Sequence, residues 1–147
     1  MPTIIPSYVY SLFAALIVGV IVVSAVSLCM VNVKNEAAQQ ELKNINEYVA
    51  TQSLTLLSHT TQNTQNSTLH LQIPTDIGNQ RFYVKISSDS SGAWVESGFA
   101  TNATSTQGRV NLPAQVEASG TFVSDSGRAL LVCHFENNVA SLTLTSE

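Results

Sequence analysis

The sequence predicts an α+β protein in which a long N-terminal helix, apolar then amphipathic, is followed by an all-β sandwich domain. Three observations carry this. No charged side chain occurs from Met1 to Val33, the apolar spacing from Ala38 to Leu56 is helical, and from Leu69 onward apolar and polar residues alternate between turn signals. The 147 residues leave room for one compact domain and an appendage. The expected organisation is an apolar helix half at 1–33, an amphipathic continuation at 34–60, a polar linker at 61–68 and a β-sandwich at 69–147.

From Ser7 to Val33 the chain reads SYVYSLFAALIVGVIVVSAVSLCMVNV, more than the ~20 apolar residues a membrane-spanning helix needs. It lacks the basic start and small-residue cleavage site of a secretory signal, so it is expected to be retained. Ser11, Ala15 and Gly19 recur at four-residue spacing. Small residues so placed let two helix backbones approach closely in an apolar medium, although a Val/Ala-rich span also produces the spacing by chance.

Beyond Lys34, the residues Ala38, Leu42, Ile45, Val49, Gln52 and Leu56 follow one another at alternating steps of four and three. That is a heptad-like stripe with one polar member, and Gln40, Glu41, Lys43, Asn44 and Glu47 form the opposite face. Such a stripe must be covered, either by the chain's own β-domain or by another helix. No Pro or Gly falls between Val20 and Gln72, and Pro6 sits where a first helical turn tolerates it. One continuous helix from about Ser7 to Ser58 is therefore expected, roughly 75 Å long at about 1.5 Å per residue.

Past Thr60 the period becomes two. Leu69, Leu71 and Ile73 alternate with polar neighbours, and a turn is expected at Pro74–Asn79. Phe82, Val84 and Ile86 form the next alternating set, before a turn at Asp89-Ser90-Ser91-Gly92. Shorter strands are expected at Ala93–Phe99, Arg109–Leu112 and Gly120–Val123. A hairpin then joins Ala129–Phe135 to Val139–Thr145 across Glu136-Asn137-Asn138. About seven short strands with regular turn signals suggest a sandwich. Its expected core is Leu71, Ile73, Phe82, Val84, Ile86, Trp94, Phe99, Val110, Leu112, Phe122, Leu130, Val132, Leu142 and Leu144. Cys29 and Cys133 fall in different segments, so no disulfide is expected.

Chemistry-bearing patterns are sparse. No nucleotide fingerprint, phosphate loop, paired-cysteine zinc pattern or nucleophile elbow occurs, so no enzyme activity and no cofactor is expected. His59, His70 and His134 are scattered, and Cys133 and His134, adjacent in a strand, point to opposite faces. Asp76, Asp89 and Asp125 each precede a Gly in a turn. Converging loops of that kind could hold calcium, but turn chemistry alone accounts for them. Ser124 and Ser126 flank Asp125 without the base that a nucleophile needs. Six basic residues spread from Lys34 to Arg128, in a chain of net charge −4, exclude a nucleic-acid footprint.

The polar surface is rich in Ser, Thr, Asn and Gln, notably at Thr51–Ser67 and Thr101–Gln107, which suits an exported protein. Asn66-Ser67-Thr68 and Asn102-Ala103-Thr104 are possible N-glycosylation sites, both expected in loops. Lys34 and Lys43 alone would place the C-terminal part inside the cell. Surface chemistry and sequons place it outside, which is the expectation adopted.

The two-part helix at Ile4–Leu57, and the opening LQIPTDIGNQRFYVKI at Leu71–Ile86, resemble the archaeal type IV pilin superfamily. That superfamily includes adhesive pilins, archaellins and membrane-anchored archaellum stator-like proteins. The resemblance covers most of the chain and lies more in architecture than in any motif. It implies that the partner of this chain is itself, in a helical homopolymer with apolar helices in the core and β-domains outside, built by a pilus assembly machinery. The alternative is a non-polymerising single-pass protein anchored in membrane lipid by the same helix, stator-like or an adhesion accessory. The expected location is accordingly the cell surface or an extracellular filament, or the cytoplasmic membrane with the β-domain outward.

Overall fold

A computed structural model describes residues 4–63, 66–99, 108–113, 116–136 and 139–147. It contains one helix, α1 (Ile4–Asn63), and seven strands: β1 (Asn66–Leu71), β2 (Phe82–Asp89), β3 (Gly92–Phe99), β4 (Val110–Leu112), β5 (Val116–Val123), β6 (Ala129–Glu136) and β7 (Val139–Ser146). The chain forms two compact units, Met1–Ala37 and Ala38–Glu147.

Within the first unit α1 starts at Ile4, with Pro6 in its first turn. Straight-chain and β-branched apolar residues fill it, and Gly19 is its one glycine. Every side chain described from Tyr8 to Ala37 is exposed.

The second unit is built from the C-terminal part of α1 and the sheet. The α+β class stands, a long helix followed by an all-β domain. The expected sandwich takes the form of a single hydrogen-bonded sheet of order β1-β6-β7-β5-β2-β3-β4. Its neighbours are antiparallel except for β5 and β7, which run parallel from Val116↔Ala140 to Gly120↔Leu144. A sandwich needs a second sheet to cover the first. Here the helix supplies that cover, because Leu42, Ile45, Val49, Ala50, Leu56 and Leu57 share one buried cluster with the inward side chains of the strands.

Period-two alternation sets the sheet's inner face. Phe82, Val84 and Ile86 on β2, Val95 on β3, Phe122 on β5 and Leu142 and Leu144 on β7 are all buried. Three expected core positions differ. Trp94 lies on the outer face of β3, and on β6 the buried residues are Leu131 and Cys133, leaving Leu130 and Val132 half-buried outside. The run ALLVCHF is apolar on both faces, so alternation cannot say which side faces the helix. Ile73, Phe99 and Val110 pack at the margin of the core, partly buried.

The helix runs to Asn63, past both the expected helix end near Ser58 and the 34–60 segment, and β1 begins at Asn66, so most of the expected 61–68 linker is regular structure. Asn66 therefore opens a strand and does not lie in a loop. The expected β6–β7 hairpin is present, with Glu136 opposite Val139, while its Asn137-Asn138 turn lies outside the described residues, as does Asn102.

Candidate functional site

The candidate site is the exposed apolar half of α1. Seventeen large apolar side chains from Tyr8 to Val33 are 42–77% exposed. Burying each is worth about 1.5–3 kcal/mol, on the order of tens of kcal/mol together. A soluble monomer rarely shows a contiguous apolar patch of more than a few hundred Å². This helix is long and apolar enough to cross a membrane.

Its serine hydroxyls are closed on the helix itself. The Ser24 hydroxyl donates to the Val20 carbonyl at 2.8 Å, and the Ser27 hydroxyl to the Val23 carbonyl at 2.9 Å. Near the start, the Ser11 hydroxyl donates to the Tyr8 carbonyl at 3.1 Å. Hydroxyls satisfied by the turn beneath them can enter lipid or a helix interface without losing a water partner.

Of the predicted small-residue ladder, Ala15 and Gly19 line a shallow groove with Leu12, Leu16, Val20 and Val23, and Ser11 lies outside it. A Cβ built on Gly19 would meet nothing within 4 Å. Nothing within the single chain therefore requires glycine there, although it costs about 1 kcal/mol of helix propensity relative to Ala.

The amphipathic stripe is used differently. Leu42, Ile45, Val49 and Leu56 are buried in the second unit, with Ala38 and Gln52 partly so. The buried face is wider than that stripe and also takes in Asn46, Ser53 and Thr60. The Ser53 hydroxyl donates to the Val49 carbonyl at 2.7 Å, and the Thr60 hydroxyl to the Leu56 carbonyl at 2.8 Å, which lets both sit in the core. Asn46 Nδ2 donates to the Gly108 carbonyl at 2.6 Å and so ties the helix to the segment before β4. The signal that finds Asn46 is its place four residues after Leu42 and three before Val49, on the buried face.

Several titratable residues are engaged locally. Asp89 accepts hydrogen bonds from the Ser91 hydroxyl and from the Ser91 and Gly92 backbone N–H groups, and the Ser91 bonds hold its carboxyl below the usual carboxylate range. Asp125 pairs with Arg81 at 2.8 Å, and Asp76 is exposed. His70 faces Glu147 at 3.4 Å, the His134 ring meets the Asn66 side chain, and His59 is exposed on α1. Among the described residues, no three His, Cys, Asp or Glu side chains are grouped to hold a metal.

The outer face of the sheet carries one cluster with no obvious sequence signal. Arg109 stacks 4.1 Å above the Trp94 ring, and Glu96 accepts from the Trp94 indole N–H at 3.3 Å. The same Glu96 carboxylate lies 3.7 Å from both Lys85 and Arg109. Cross-strand register brings these groups together, since Lys85 stands opposite Glu96. No protein-family model, curated protein or solved structure matches the chain.

Proposed function

We propose that the chain is a structural subunit of an extracellular filament of the archaeal type IV pilin kind, without enzymatic activity. Apolar halves of α1 from many copies pack into the filament core, and the β-domains are displayed outside. The observation that carries this is the division of labour along one helix. The amphipathic half is buried by its own sheet, whereas Tyr8–Val33 is exposed on every side and the hydroxyls of Ser11, Ser24 and Ser27 within it are closed on the backbone. The open groove at Ala15 and Gly19 supports close helix–helix approach. In this reading the β-domain faces outward at the cell surface.

A bilayer alone would also cover the same helix, which gives the second reading, a single-pass anchored β-domain that does not polymerise. Electron microscopy of material sheared from the cell surface separates the two. Thin filaments containing the chain support the subunit, and recovery only with membranes supports the anchor.

Gly19→Leu is expected to abolish filaments while leaving the β-domain as resistant to protease as in the parent chain. Filaments of normal abundance from that variant would remove the groove from the assembly.

A further inference from the structure

Backbone pairing alone holds β4 weakly. It has three residues beside the eight of β3, and its Leu112, Asn111 and Val110 pair only with Ala93, Trp94 and Val95. No strand lies on its other side among the described residues, and Glu96–Phe99 of β3 has no strand beside it there either. Of the three β4 side chains only Leu112 is fully buried. An element with few paired amides and little buried apolar surface opens at a lower free energy than the core.

Two side chains grip the entry to this strand, one from each face of the sheet. On the inner face Asn46, 0% exposed, donates from Nδ2 to the Gly108 carbonyl at 2.6 Å. Its Oδ1 is buried and accepts from no group among the described residues, so the amide sits in the core at a cost that the bond to Gly108 offsets. Gly108 takes φ 104°, and a Cβ there would stand 3.2 Å from Asn46 Nδ2, so the chain bends into β4 at the point the amide holds. On the outer face the next residue, Arg109, lies 4.1 Å above the Trp94 ring and 3.7 Å from Glu96. Glu96 is fixed in turn by the Trp94 indole N–H and by Lys85.

We propose that β4 is a latch that opens on its own, and that Asn46 and Arg109 hold it shut over the edge of β3. The ladders joining β2, β5, β7 and β6 contain neither side chain, so they stay closed while β4 opens. Opening uncovers the backbone of β3 at Ala93–Val95 and makes it continuous with the uncovered stretch Glu96–Phe99. The free edge then runs the length of β3, whose sequence GAWVESGF has no Pro, Lys or Arg to blunt it. Closed, the latch covers that edge with a short strand entered through a charged residue.

The test is amide hydrogen exchange of the full chain in detergent through low urea, paired with acrylamide quenching of Trp94, its one tryptophan. In the parent chain the amides of β4, and those of β3 that face it, are expected to exchange ahead of β2, β5, β6 and β7. They do so through an opening that urea scarcely promotes. Asn46→Leu and Arg109→Ala are each expected to speed exchange at β4 about tenfold, with the other strands at parent rates. Asn46→Leu leaves Trp94 and Arg109 in place, yet it is expected to increase quenching, because a strand released at Gly108 carries Arg109 off the ring. Its urea midpoint is expected to be no lower than the parent's, since a buried unpaired oxygen goes with the amide. If β4 amides of the parent exchange only together with the other strands, β4 belongs to one cooperative unit and the inference is overturned, whether or not either variant folds. Parent rates at β4 in a folded variant remove that side chain from the latch.

Discussion

At Gly120 the backbone takes φ 130°, a conformation that L side chains rarely adopt, and β7 crosses close beside it. A Cβ there would meet the Leu144 carbonyl oxygen at 2.1 Å and its nitrogen at 2.8 Å. Both atoms are backbone and cannot step aside, so the parallel pairing of β5 with β7 depends on a hydrogen in place of a methyl group. Gly120→Ala is expected to cost about 3 kcal/mol or more, read as a lowered urea midpoint of the full chain in detergent. Asp89 makes a gentler case. Its carboxyl is held low chiefly by the Ser91 hydroxyl and then by the Ser91 N–H, so Ser91→Ala should raise it towards the ordinary carboxylate value in an NMR titration. Because the folded group binds its proton less readily than the unfolded one, the associated stability is present above the ordinary carboxylate pKa. It is lost as pH falls through the depressed folded value. The role of Asp89 is legible in Asp-Ser-Ser-Gly, where the turn chemistry is local. The role of Gly120 is not legible, because its partner Leu144 is distant in sequence.

At the scale of elements, strands with clean alternation disclose their faces and β6 does not. FYVKI has polar or amphipathic residues between its apolar ones, and Phe82, Val84 and Ile86 duly point at the helix. ALLVCHF offers apolar residues to both sides, and only pairing with β1 and β7 puts Leu131 and Cys133 inside. Leu131 is 0% exposed, so Leu131→Ala should cost about 2–5 kcal/mol, whereas Leu130→Ala should cost less than half as much. Equal losses in chemical unfolding would mean that the register is shifted by one residue. The width of the buried helix face is equally absent from the apolar pattern. A heptad stripe finds Leu42, Ile45, Val49 and Leu56, but Asn46, Ser53 and Thr60 look like surface residues until their hydrogen bonds are seen.

Over the whole molecule the sequence displays its division plainly, because charge is absent up to Val33 and present from Lys34 onward. What it leaves open is which surface covers each half of the helix. A stripe can be covered by a partner helix or by the chain's own sheet, and only the folded chain shows Val49 and its neighbours buried within the second unit. That assignment leaves Tyr8–Val33 as the surface that other molecules must cover. Cys29 lies exposed in that stretch and Cys133 is buried, so a thiol-reactive spin label selects Cys29. Pulsed dipolar spectroscopy on labelled chains assembled at the cell surface asks directly whether copies cover one another. Helices packed in a core lie about 8–10 Å apart, so strong coupling at distances of about 10–30 Å is the expected result, disappearing in detergent. Labels that stay uncoupled in the surface material, as chains dispersed singly in lipid would leave them, would contradict the account.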